Sequence, residues 1–193
     1  MNASISKLKG SACAVFCACV LASTGFAAGL RVDAPSGMPT GKTVTAQQLW
    51  QVFDSSLPKG VWVSPLEDAE YEVISAKWLK YDFLPALKLQ MKQLRENGVA
   101  ADGSAGNCNG FALICRLMFS LAAMQAHARG PATATVVVHQ DQAFGGIPAT
   151  KEGHCVAFVL TDEGPWIIEA QSGVTTQLSA YPNLGSIQLV SVH

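Results

Sequence analysis

The chain is expected to fold as an α+β domain, on three observations. Apolar residues recur at helical spacing across 78–97, with Leu87, Met91 and Leu94 on one side. Residues 111–126 form an apolar run of helical length with little polar surface, which predicts a helix buried on most sides. After residue 133, β-branched segments succeed one another through Gly, Pro and Asp turns, the pattern of antiparallel strands placed after helices.

The elements follow in order. Lys7 and Lys9 precede a short apolar stretch, 11–25, and Gly25-Phe26-Ala27 offers the small residues a signal peptidase reads. Residues 1–27 are therefore expected to be a cleaved secretory signal, too short for a membrane span, so the protein is expected to be exported, to the periplasm or beyond, with no stable span after processing. Residues 28–43, rich in Gly, Pro, Ser and Thr, are expected to be a flexible leader, and 44–193 a single domain without internal repeats. Thr45 with Gln48 three residues on has the form of a capping box, opening a short helix with Leu49 and Phe53 inward and Pro58 at its end. Residues 61–63 and 71–75 are brief extended pieces. The helix over 78–97 meets Pro85 near a break or restart, and Lys88, Lys92, Arg95 and Glu96 make its solvated face.

Beyond the long apolar helix, His127 is placed to interact with the helix C-terminal end. Residues 133–139 predict a strand, 140–153 a long polar loop, 156–161 and 166–170 a hairpin, and 186–192 a last strand. Trp50, Trp62, Trp78 and Trp166 are read as core rather than as a ligand platform.

Composition excludes several function classes. A net charge of −1 and the lack of a basic run argue against nucleic acid as partner. No phosphate loop or dinucleotide fingerprint is present, so no cofactor is implied, and without Cys-x-x-Cys or His-x-x-x-His spacing no metal site is implied. Loss of residues 1–27 removes Cys13, Cys17 and Cys19 and leaves Cys108, Cys115 and Cys155, an odd number that favours a working thiol in an exported protein.

Cys108 is the residue whose setting points to chemistry. It follows a Gly/Asp/Ser-rich loop and opens the apolar helix, where free N–H groups and the helix dipole favour the thiolate. His154 stands at the start of a strand, and Glu169 in the strand after it. Cysteine, then histidine, then an acid is the order of a thiol hydrolase triad: nucleophile, general base and a carboxylate that fixes the imidazole tautomer. Cys115 is expected in the core, with a Cys115–Cys155 disulfide as the alternative. Side chains alternate across a strand, so Cys155 is expected to point away from the site that His154 enters. The Cys108 backbone N–H is the expected oxyanion donor, with Asn107, Asn109 and Gln171 as further oxyanion or substrate candidates.

The segments Asn107-Cys108-Asn109-Gly110-Phe111-Ala112, Gly153-His154 and Trp166-Ile167-Ile168-Glu169-Ala170-Gln171 resemble the papain-like, transglutaminase-like cysteine hydrolase superfamily. They look closest to bacterial and phage members with an Asp-Cys-Asp-Asp-Phe-Ala-type motif, then Gly-His, then Glu-Pro-Gln; here Asn107, Asn109 and Ala170 depart from that pattern. The resemblance spans about 71–173 and implies a central helix headed by the cysteine, packed on an antiparallel sheet, with extra helices at the N-terminal side. It implies a peptidase or amidase, or an acyl transferase of the same chemistry, acting on a peptide or amide substrate. A catalytically silent exported binding module is the other reading.

Overall fold

The capping box forms as its residues require. In the computed structural model, which describes residues 32–38, 42–97 and 108–192, the Gln48 N–H donates to the Thr45 hydroxyl at 3.2 Å and the Thr45 N–H donates to the Gln48 side chain at 2.8 Å. The expected signal, the loop before Cys108, Asn107 and His193 lie outside the described residues. β1 (Thr43–Thr45) leads into α1 (Ala46–Ser56), which buries Leu49 and Phe53 and stops at Leu57, ahead of Pro58. β2 (Trp62–Val63) and β3 (Glu70–Glu72) follow, and β3 pairs antiparallel with β1 in a small ribbon.

α2 (Ala76–Trp78) runs through a π-helical turn, 79–83, into α3 (Leu84–Glu96). Pro85, second in α3, has no N–H to continue the α-helical ladder. The Leu84 N–H reaches back five residues to the Leu79 carbonyl, so the helix slips register here instead of breaking. Leu87, Met91 and Leu94 face inward, each 1% exposed or less. The described part of the expected leader, 32–38, is packed: Met38 is 3% exposed in the core, and the Asp33 N–H donates to Gln90 at 3.1 Å. Its few apolar residues find a slot on α3 that composition alone does not announce.

α4 (Cys108–Gln125) is the central helix. It packs on the sheet and against α3 through Cys108, Phe111, Cys115, Met118, Phe119 and Ala122. Phe119 stacks on Phe83 with ring centroids 3.7 Å apart. The helix is not buried on most sides: Leu113 is 49%, Leu117 46% and Met124 70% exposed. By length and composition alone it could cross a membrane; its apolar content serves instead two packed flanks and an open outer side. His127 does cap its C-terminal end, by backbone geometry. With φ 52°, His127 donates its N–H to the Met124 carbonyl at 3.1 Å, and the Ala128 N–H reaches Ala123 at 2.9 Å, a Schellman motif. A non-glycine residue is strained at that φ. His127→Gly is expected to raise stability by about 0.5–1 kcal/mol, read as a higher Tm at unchanged thiol reactivity.

The strands β4 (Thr133–His139), β5 (Gly153–Thr161), β6 (Gly164–Glu169), β7 (Val174–Gln177) and β8 (Ile187–Val192) complete the α+β fold. They form a six-stranded sheet in the order β2-β8-β4-β5-β6-β7. All pairs are antiparallel except the edge pair β2–β8, which is parallel, so the sheet is mixed and not wholly antiparallel as expected. One face carries Ala157, Val159 and Ile168 against α3 and α4; the other carries Val136, Val156, Phe158 and Ile167 against α1 and β3. Alternation along β5 therefore supplies both cores, and β5 lies centrally in the sheet with α4 above it.

Candidate active site

Three chain segments far apart in sequence deliver Cys108, His154 and Glu169 to one place. Cys108 is the first residue of α4, His154 the second residue of β5, and Glu169 the last of β6. They are 5%, 2% and 0% exposed. The His154 Nε2–H donates to Glu169 Oε2 at 2.6 Å, and the imidazole lies near enough to the Cys108 thiol for each to shift the other's pKa. With Nε2 committed to the carboxylate, Nδ1 is the nitrogen available to the sulfur. The other Glu169 oxygen accepts the Gln171 backbone N–H at 3.0 Å. The carboxylate is thus held at both oxygens, and it holds the ring.

The electrostatics favour an ion pair. Hydrogen bonding by the Cys155 thiol, then by His154 and the Cys155 backbone N–H, lowers the Cys108 pKa well below that of a free thiol, against the opposing effect of burial. His154 is affected the opposite way. Burial disfavours its charge, but the Cys108 and Glu169 partners overcome that and raise it to about 9. Both shifts favour a thiolate beside an imidazolium.

Cys155 overturns one expectation. Alternation does hold: Cys155 is on the α4 face with Ala157 and Val159, and His154 on the opposite face with Val156 and Phe158. Yet both side chains lie near enough to Cys108 to lower its pKa. Adjacent Cα atoms are only about 3.8 Å apart, so a sulfur set against the beginning of the strand reaches neighbours on both faces. Cys115 is fully buried in the core, with its pKa pushed up by burial and by Glu169, and no disulfide joins it to Cys155. Cys155→Ala is expected to move the midpoint of Cys108 alkylation up by about one to two pH units, since a thiolate loses a charge-assisted donor. Iodoacetamide rates across pH, with the modified peptide identified by mass spectrometry, measure it.

The remaining candidates divide. Asn109 is exposed and follows Cys108 in α4. Gln171 contributes through its backbone: its N–H holds Glu169 and its carbonyl accepts the Arg95 guanidinium. Arg95 is therefore not simply part of a solvated face; from α3 it ties down the turn after Glu169 and lies 5.9 Å over the Phe111 ring of α4. Asn107 lies outside the described residues.

Gly145 is a positioning residue that the sequence reading passed over. The loop between β4 and β5 folds back over the site, pinned by Gln140, whose side chain donates to the Ile147 and Pro148 carbonyls at 2.9 Å each. Gly145 has φ +62°, and a Cβ there would stand 2.7 Å from Glu169 Cγ and 2.9 Å from Ser172 Oγ. Only glycine both adopts that conformation and leaves room for Glu169. The Gly145-Gly146 pair in the loop before His154 was the available signal. Gly145→Ala is expected to cost about 2–4 kcal/mol from left-handed strain and overpacking together. Denaturant unfolding measures that cost, and a lower thiol reactivity in the folded fraction reports the displaced Glu169.

No protein-family model matches the chain, and no curated protein matches it.

Proposed function

We propose that the chain is an exported thiol hydrolase of peptide or amide bonds, acting through Cys108, His154 and Glu169 and an acyl-enzyme intermediate. The observation that carries this reading is the buried group of thiol, imidazole and carboxylate, in which His154 is joined to Glu169 by a 2.6 Å hydrogen bond and lies near enough to Cys108 to lower the thiol's pKa. A buried Glu with a single structural purpose needs only a neutral partner; one joined to an imidazole that also meets a thiol at a helix start has the parts of a nucleophile and its base. The Cys108 thiolate would attack the carbonyl carbon, and the N–H groups at the α4 start would receive the oxyanion. The His154 imidazolium would give its proton to the departing amine. Neutral His154 would then take a proton from water as that water attacks the thioester, releasing the acid and restoring the pair. Glu169 holds the ring in the tautomer both steps need.

The helix-headed cysteine on a mostly antiparallel sheet also supports the finer assignment to the papain-like, transglutaminase-like superfamily. The N-terminal segment supports export, and cell-wall peptides are the substrate class that compartment suggests. Incubation of the processed protein with cell-wall fragments and with a peptide library, followed by mass spectrometry, tests the reading. Products with a new amine and a new carboxylate, and a thioester on the Cys108 peptide after acid quenching, are expected. Intact substrates with no adduct at Cys108 would count against it.

A further inference from the structure

Two thiols meet where α4 and β5 begin to pack on each other. The inward face of α4 runs back from Phe119 through Cys115 to Cys108, its first residue. The α4 side of β5 runs back from Val159 through Ala157 to Cys155, since alternate residues of a strand share a face. Cys115, Phe119, Ala157 and Val159 belong to one core, so the two faces lie against each other, and each ends in a cysteine. The end residues are near enough for each to shift the other's pKa. Cys115 stands apart. It is two helical turns from Cys108, about 10 Å along the helix axis, and 0% exposed. Cys155 is half-buried, and all three thiols are free. The meeting pair is unequal. Cys108 is the sulfur that ionises, while the Cys108 neighbour and then burial push the Cys155 thiol up, so Cys155 keeps its proton. A thiolate with a protonated thiol beside it is the arrangement of an oxidisable and a resolving cysteine.

We propose that Cys108 and Cys155 form a reversible redox site, closed to a disulfide by a hydroperoxide and reopened by a thiol reductant. The site goes beyond peptide cleavage and needs only the Cys108 thiolate. The thiolate attacks one oxygen of the hydroperoxide: an S–O bond forms and the O–O bond breaks. With hydrogen peroxide, the departing hydroxide takes the proton of the His154 imidazolium and leaves as water. Cys108 is then a neutral sulfenic acid, and the charge that kept the Cys155 proton in place is gone. The Cys155 sulfur attacks the Cys108 sulfur: the S–S bond forms, the S–O bond breaks, and hydroxide leaves with the Cys155 proton as a second water. Two thiols are oxidised and one peroxide is reduced. Two equivalents of a thiol reductant restore both cysteines and leave as their own disulfide. While closed, the site has no nucleophile. It also holds Cys108 back from the sulfinic acid, which thiols do not reverse. In the oxidising compartment that export would provide, such a device preserves the reactive sulfur. The pairing also gives the odd cysteine count a physical form, with Cys115 the thiol left over in the core.

Hydrogen peroxide tests this on the processed protein, with free thiols then blocked by iodoacetamide and the peptides read by mass spectrometry. The parent is expected to yield a Cys108 peptide joined to a Cys155 peptide within one chain, lighter by two hydrogens than the two reduced peptides together. Dithiothreitol is expected to return nearly all of the lost Cys108 alkylation. Cys155→Ala and Cys155→Ser have no resolving sulfur, so Cys108 is expected to pass to the sulfinic acid and most of its alkylation to stay lost after dithiothreitol. Parent and variants are compared at equal loss of free Cys108, so a slower ionisation in the variants does not enter. Cys115→Ala is expected to keep the cross-link. A parent in which Cys108 becomes sulfinic acid while Cys155 stays free overturns the redox site and leaves the thiolate reading standing. So does a disulfide to Cys115 or between chains, or a recovery as complete in both Cys155 variants as in the parent. A Cys108 that peroxide oxidises no faster than a free thiol below pH 8 overturns the thiolate reading, and the redox site with it.

Discussion

Cys108→Ser is expected to lower kcat/KM on cleaved peptides by on the order of 10⁴-fold or more, the loss that follows removal of a nucleophile in hydrolase triads. The substitution exchanges one small side chain for another at a helix start, a place where serine is well suited. Stability is therefore expected to stay within about 1 kcal/mol of the parent, the ordinary range for a substitution that leaves no cavity and no orphaned polar group. What is lost is ionisation. A serine hydroxyl does not lose its proton to an imidazole in the ground state, so the ion pair that precedes attack never forms. Steady-state kinetics and thermal unfolding on the same samples separate the two effects. A serine variant with more than a tenth of parental activity would mean that Cys108 is not the attacking group.

His154→Ala is expected to be as damaging to turnover and more damaging to the fold. It leaves Glu169, 0% exposed, with the Gln171 N–H at one oxygen and without its imidazole partner at the other. Stranding a buried charge in this way costs about 3–5 kcal/mol. His154→Gln distinguishes the roles. Its side-chain N–H can still donate to Glu169, so much of the stability is expected to return, but it cannot take or give a proton, so turnover is not. In both variants Cys108 alkylation should shift to higher pH, because the imidazolium that favours the thiolate is gone. The parental pH profile has a definite sign. On the proposed mechanism activity needs thiolate and imidazolium together, so it is expected to rise as pH climbs through the lowered Cys108 pKa and to fall as pH climbs through about 9, where His154 loses its proton. A basic limb near 6.5 would place His154 outside the reacting pair.

Much of the candidate site was legible because it depends on local chemistry. A cysteine after a Gly-rich loop and before an apolar run predicts a helix start, and α4 does begin at Cys108. A histidine after a polar loop and before a β-branched run predicts a strand start, and His154 is the second residue of β5. Glu169 stood out as a carboxylate in an apolar strand, which must find a partner when buried. Thr45 and Gln48 predicted their own capping box, and Leu87, Met91 and Leu94 their own inward face.

The errors fall where a residue's surroundings come from distant parts of the chain. Arg95 looks like one more surface charge on its helix, and only the packing of the turn at Gln171 against α3 gives it a carbonyl to hold. The 32–38 segment looks loose until the core takes in Met38 and Gln90 of α3 accepts the Asp33 N–H. The periodicity of 111–126 predicted a helix, yet whether Leu113 and Leu117 face protein or water depends on which neighbours arrive.

What the sequence determined by itself is the set of short-range events: where helices and strands begin, which residues share a face, and which of them have the side-chain chemistry proposed for nucleophile, base and carboxylate. Those follow from hydrogen bonding and side-chain period over a few residues. What only the tertiary structure decided is the meeting of faces: that the start of α4 lies against the start of β5, close enough for Cys155 as well as His154 to lower the Cys108 pKa, and that Gly145 must leave its Cβ space to Glu169. The physical reason is that alternation specifies the direction of a side chain relative to its own strand, while the distance between two groups on different elements is set by how the elements pack.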